Sequence, residues 1–107
     1  AAFQNNSSIQ SVVINDTITK IEDWAFSYCP NLKNVIIGNS VESIGADAFH
    51  GDFLIQKIFI PPSVNQIGAN AFKDCPNLTI SGISGSAAEK YGIANGIPFM
   101  LELHNIP

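Results

Sequence analysis

The stretch Ile55-Gln56-Lys57-Ile58-Phe59-Ile60-Pro61-Pro62-Ser63-Val64-Asn65-Gln66-Ile67-Gly68-Ala69-Asn70-Ala71-Phe72 decides the fold, because its apolar positions recur one period away along the chain. Ala71-Phe72 is preceded by Ala48-Phe49, Ala25-Phe26 and Ala2-Phe3, each 23 residues apart. The same register aligns Ile9, Leu32, Ile55 and Leu78; Val12, Val35 and Ile58; and Ile14, Ile37 and Ile60. Ile18, Val41 and Val64 form a further column, as do Ile21, Ile44 and Ile67. Seven apolar columns in one register mark an internal repeat. A unit of 23 residues is one supersecondary turn of chain that cannot bury its apolar side alone, so successive copies must stack.

The unit reads locally as well. In Asn34-Val35-Ile36-Ile37 the residues Val35 and Ile37 alternate with Asn34 and Ile36, the period of a strand. Gly38-Asn39-Ser40 and Pro61-Pro62-Ser63 are turns at equivalent places. Val41-x-x-Ile44 sends two more apolar groups inward from a second short extended segment, and Ala48-Phe49 reads as a tight helical turn. Cys-Pro-Asn-Leu, at 29–32 and 75–78, returns the chain to the next strand. Asp52 stands in the column of Cys29 and Cys75. The pattern is expected to fail after residue 78, where Ser81 falls in the column of Val35 and Ile58. Ser86-Ala87-Ala88-Glu89 is a capping box, with an apolar face of Ala87, Ala88, Tyr91 and Ala94 behind it and Asn95-Gly96 as the stop signal. A last strand from Pro98 to Leu103 puts Phe99, Leu101 and Leu103 on one face and Met100, Glu102 and His104 on the other. The predicted architecture is mainly β with short helical turns: a solenoid over residues 1–82, about three and a half coils with the first truncated, and a helix-strand cap over 83–107.

Composition narrows the function classes. The 107 residues are 46% hydrophobic and 13% charged, which suits one folded domain and not an acidic disordered tail. No run approaches the roughly 18 uninterrupted apolar residues of a membrane span. Five Lys+Arg against nine Asp+Glu, net charge -4, cannot build the basic surface that nucleic-acid backbones require. Ala1 to Gln10 lacks the basic region and apolar core of a signal peptide, and Ala2-Phe3 begins mid-coil. We therefore expect the C-terminal part of a longer protein; the alternative is an open end that pairs with another molecule.

With these columns in hand, the chain resembles the BspA-like (Treponema pallidum-type) leucine-rich repeat family. Ile55-x-x-Ile58-x-Ile60-Pro61-x-Ser63-Val64-x-x-Ile67-Gly68-x-x-Ala71-Phe72-x-x-Cys75 matches that family's unit at every fixed position, and the resemblance covers residues 2–82 and the capping segment. It implies a right-handed leucine-rich-repeat solenoid with a sheet along one side. It also implies a secreted or cell-surface location, adhesion to a protein partner of the host or extracellular matrix (or to a glycan), and no catalytic residues or cofactors. Gly38 in place of Pro, and Gly51-Asp52-Phe53 in place of the Cys-Pro pattern, depart from the family in local turn shape.

Candidate chemistry is sparse. Stacked strands lie about 4.7–4.9 Å apart, which puts Cys29 and Cys75, two coils apart, on the order of 10 Å from each other. A disulfide needs Cα atoms within about 7 Å, so both are expected as free, buried thiols. Asp52 is expected to turn to solvent or cap a turn, since a buried carboxylate is costly. His50 and His104 are expected as exposed surface histidines, with no convergent partners for a metal. Glu22 and Glu42 face outward, and no pocket of paired carboxylates is in register. The Asn-x-Ser/Thr sites at Asn5, Asn6, Asn15 and Asn77 are glycan acceptors only in a eukaryotic secreted protein; otherwise they are turn residues. Two surface features suggest partner binding. Val13, Ile36 and Phe59 form an apolar stripe on the outer side of the strands, where polar residues are usual. Trp24 and Tyr28 sit at variable turn positions whose equivalents, Asp47 with Gly51 and Asn70 with Asp74, are polar or small. The sequence thus reads as a non-enzymatic interaction module, with a structural spacer as the alternative.

Overall fold

The structure is a computed structural model that describes residues 3–102. Each coil contributes one strand on the broad side, Ser11–Ile14 (β1), Asn34–Ile37 (β3), Lys57–Phe59 (β5) and Thr79–Gly82 (β7), and the first three also contribute a short one, Lys20–Ile21 (β2), Ser43–Ile44 (β4) and Gln66–Ile67 (β6). A helix, Ala87–Ala94 (α1), and a final strand, Phe99–Leu101 (β8), follow. All pairings are parallel. The registers Ser11↔Asn34, Lys20↔Ser43 and Ser43↔Gln66 reproduce the period read from the sequence. β2, β4 and β6 form one continuous sheet. The broad side is divided into β1-β3 and β5-β7-β8. The break follows the coil in which Gly51-Asp52-Phe53 departs from the repeat, and a gap lined by Lys33, Asn34, Leu54, Gln56 and Lys57 opens there.

The columns are the core. Leu32, Val41, Ile44, Ala48, Phe49, Ile55, Ile58, Ile60 and Val64 are almost completely buried. The outer coil is less covered, and Ile18 is exposed where Val41 and Val64 are not. Phe3, Phe26, Phe49 and Phe72 stack as a ladder with centroid spacings of 5.4, 5.4 and 5.2 Å and interplanar angles of 2°, 11° and 1°. Flat offset stacking at strand-like spacing follows from parallel coils that repeat the same rotamer. Tyr91 of α1 closes the ladder edge-on, 5.9 Å from Phe72 at 69°, and its hydroxyl accepts a hydrogen bond from the Phe72 N–H at 3.2 Å. Burial pushes the Tyr91 phenol up from its ordinary pKa.

Four expectations are corrected in detail. The pattern does not fail after residue 78: the last coil is one residue shorter, so Lys57, Ile58 and Phe59 pair with Thr79, Ile80 and Ser81. Ile80, fully buried, takes the place expected for Ser81 in the column of Ile58. The Ala-Phe segments contain no helix; they are built from i→i−3 bonded turns, Ala25 N–H to Glu22 C=O, Ala48 to Gly45 and Ala71 to Gly68. Helix α1 is capped as read, Ser86 accepting from the Glu89 N–H at 3.3 Å while Glu89 accepts from the Gly85 N–H at 2.8 Å. Its buried face is Ala88 and Gly92 with Tyr91 half-buried, whereas Ala94 is exposed. In β8, Phe99 is half-buried but Leu101 is exposed; Leu103 and His104 lie outside the described residues.

Candidate functional site

The turns that carry the Ala-Phe motif also set the backbone around the candidate residues. In the turn bonded from Ala25 to Glu22, Trp24 is the third residue, with φ 63°. Its equivalents Asp47 and Asn70 have φ 58° and 61°. Tyr28 has φ 54°, beside Asn5, Gly51 and Asp74 at 63°, 79° and 59° in the same column. A third turn residue at positive φ, after a second that is not, defines the type II turn, which favours Gly or Asn there. Five of these seven positions carry Asn, Asp or Gly. Trp24 and Tyr28 are the two that do not, and a bulky side chain in left-handed backbone is a true outlier.

His50 of the next coil joins them. Its ring centroid lies 5.9 Å from that of Trp24 at 22° and 5.1 Å from that of Tyr28 at 34°. Nδ1 is 2.9 Å from Asp47 Oδ1 and Nε2 is 3.0 Å from Asp74 Oδ2. The Tyr28 hydroxyl is 3.5 Å from Nε2. A Cβ at Gly51 would stand 2.6 Å from the Tyr28 ring, so only glycine admits that ring against the backbone. His50 is thus not the exposed, unaccompanied histidine expected from sequence; its side chain is 12% exposed and fixed between two carboxylates. Trp24 and Tyr28 stay 37% and 40% exposed. Among the described residues no group of three or more His, Cys, Asp or Glu is arranged to hold a metal ion.

On the broad side, Val13 and Ile36 are paired neighbours of β1 and β3, 68% and 62% exposed. Phe59 lies in the same column but is half-buried, and β7 puts Ser81 next to it, also buried. Met100 follows Ser81 in register and is exposed. The stripe is therefore open at Val13 and Ile36 and partly closed at Phe59.

Interior chemistry differs from expectation at one point. Cys29 and Cys75 are free and buried, as read from their spacing. Each thiol donates to the carbonyl of a phenylalanine one coil back, Cys29 to Phe3 and Cys75 to Phe49, both at 3.2 Å. Burial raises the Cys29 pKa, helped by the charge of Asp52, and pushes Cys75 up to about 12. Asp52 does not turn to solvent; it is 0% exposed, between the cysteines in their column. Its Oδ1 accepts the Cys29 N–H at 2.8 Å, and Oδ2 has no partner among the described residues. Burial pushes its carboxyl up to about 7, opposed by that one hydrogen bond. Glu22 and Glu42 are exposed, as expected.

The BspA type Leucine rich repeat region model matches residues 1–90 in six copies. The chain belongs to this repeat family. A solved leucine rich cell surface protein from Faecalibacterium prausnitzii A2-165 is 38% identical, with a TM-score of 0.74 over 78% of this chain. The match spans 22% of that protein's length. No curated protein matches. As a member of the BspA-type family, the chain is a repeat module of the protein-interaction kind. Against the repeat, the His50 cluster stands out as the place where one coil uses positions the others leave to turn residues. Its signal in the sequence is two aromatics at positions where the two following coils carry Asp47 with Gly51 and Asn70 with Asp74, on either side of the column of Ser27, His50 and Lys73. No helix among the described residues is long and apolar enough to cross a membrane.

Proposed function

We propose that this chain is a non-enzymatic binding module of a secreted or surface-exposed, adhesin-like leucine-rich repeat protein, and that it engages a protein partner through the outer side of β1 and β3. The observation that carries this is the pairing of Val13 with Ile36, two large aliphatic side chains about two-thirds exposed in adjacent strands. Exposing them wastes apolar area, and such patches rimmed by polar groups mark contact surfaces. Ser11 and Asn34 flank them on the strands. The likeness to a cell surface protein supports the location.

The test is binding to immobilised extracellular-matrix and cell-surface proteins, wild type against Val13→Asp and Ile36→Asp. Both side chains point outward, so the variants are expected to keep their unfolding free energy within about 1 kcal/mol of wild type while losing capture. Equal capture by both variants refutes the stripe. Absence of capture by the wild type favours a spacer, whose coils only set a distance.

A further inference from the structure

We propose that Trp24, Tyr28, His50 and Asp74 form a second binding site, on the turn side of the coils, for a neutral carbohydrate. It is separate from the β1–β3 stripe and does not depend on it. The first reason is cost without structural return. Two aromatic side chains occupy left-handed backbone that equivalent coils give to Asn5, Gly51, Asp74, Asp47 and Asn70. Both side chains nevertheless stay more than a third exposed. Strain kept where the surroundings over-determine it is a mark of ligand sites.

The second reason is rigidity. His50 touches both rings and is itself held at 2.9 and 3.0 Å by Asp47 and Asp74. A platform fixed before binding spends little on ordering when a ligand arrives. Tyr28 rests where Gly51 leaves room, which fixes the second ring.

The third reason is the chemistry the cluster offers. Asp74 gives one oxygen to the imidazole and, well exposed, keeps the other as an acceptor, whereas Asp47 is nearly buried. The Tyr28 hydroxyl, at the limit of hydrogen-bond distance from Nε2, retains capacity for a ligand. Apolar ring surface flanked by acceptors and donors suits a sugar, whose C–H face lies on an aromatic ring while its hydroxyls reach sideways. A cationic ligand would have only the second oxygen of Asp74 to pair with, because Asp47 is turned to the imidazole and nearly buried. From Asp74 a cleft of about 500 Å³ continues between the last coil and α1, with Asn70, Tyr91 and Asn95 on its walls.

Trp24 is the single tryptophan of the chain, so its fluorescence reports on this site alone. The probes are cellotetraose, maltotetraose, mannotriose and lactose, with tetramethylammonium and hexalysine as cationic arms. At least one sugar is expected to give a saturable emission change with a millimolar or tighter Kd. Tyr28→Asn and Asp74→Ala should each weaken it by about tenfold or more, and Val13→Asp should leave it unchanged. Trp24→Asn, followed by calorimetry, should abolish the heat of binding. Asparagine is native to these columns at Asn5 and Asn70, so Trp24→Asn and Tyr28→Asn are expected to fold. No saturable response to any sugar, a response to the cationic probes alone, or undiminished binding by Tyr28→Asn overturns the proposal. Because the stripe is assayed with different variants and ligands, either reading can fail without the other.

Discussion

Replacing Asp52 with asparagine should stabilise the protein at alkaline pH and do almost nothing in acid. Cys29 and Cys75 each donate to a phenylalanine carbonyl, whereas Asp52, in the same column, accepts the Cys29 N–H through Oδ1. An ionised carboxylate has no hydrogen to give, and Oδ2 is left buried without a partner. Burial favours the neutral acid, so the folded state holds this proton up to about pH 7 against an ordinary value of 3.8. The folded state thus binds more protons than the unfolded one between those two values, so stability falls as pH rises through that window. A shift of about three units corresponds to roughly 4 kcal/mol at most, and relaxation around the carboxylate brings the expected effect to about 2–4 kcal/mol. Asparagine keeps an oxygen for the Cys29 N–H and brings no charge into the interior. The assay is urea unfolding of wild type and Asp52→Asn between pH 4 and 8. The variant should gain about 2–4 kcal/mol at pH 8 and stay within about 1 kcal/mol at pH 4. Taking the difference between the two proteins removes the titration of distant groups. A gap that does not widen with pH, or a variant less stable at pH 8, refutes the account.

Other consequences are simpler to read. Gly68→Ala puts a methyl group onto the backbone N of Ala46 in the neighbouring coil, so the two coils must part; a loss of about 2 kcal/mol or more is expected in denaturant unfolding. Cys29 and Cys75 should resist iodoacetamide at pH 8 in the folded protein and react fully in urea, checked by mass spectrometry; rapid native labelling of Cys75 contradicts its burial and raised pKa. Ser86→Ala removes the acceptor for the Glu89 N–H at the start of α1 and should cost about 1 kcal/mol in the same unfolding assay.

The stacking was legible because burial selects the same residue at the same depth in every coil. Ala48, Phe49, Ile55 and Ile60 needed only their spacing to be placed, and so did the free thiols. What escaped had causes that spacing does not carry. The last coil drops one residue between Leu78 and Ile80, and a strict count then points at Ser81 although the strand is intact. The cost of burying a charge argues against a buried Asp52, but that cost leaves out its neighbour's N–H and the neutral form that burial favours. Trp24 and Tyr28 stand out in the sequence as aromatic outliers, but spacing alone does not separate His50 from a lone surface residue. Its partners, Asp47 and Asp74, stand in the two columns that flank it, and only the left-handed turns bring those columns together around one imidazole.

A column of parallel rings has no inherent last member, since each face invites another. Tyr91 ends it by presenting an edge to Phe72 and by binding that residue's amide, so the series meets a ring at a steep angle with no parallel seat beyond. A molecule whose interior is one repeated layer could otherwise recruit copies of itself into an open filament. Here a single phenol, turned on its side, acts as the terminator of that growth.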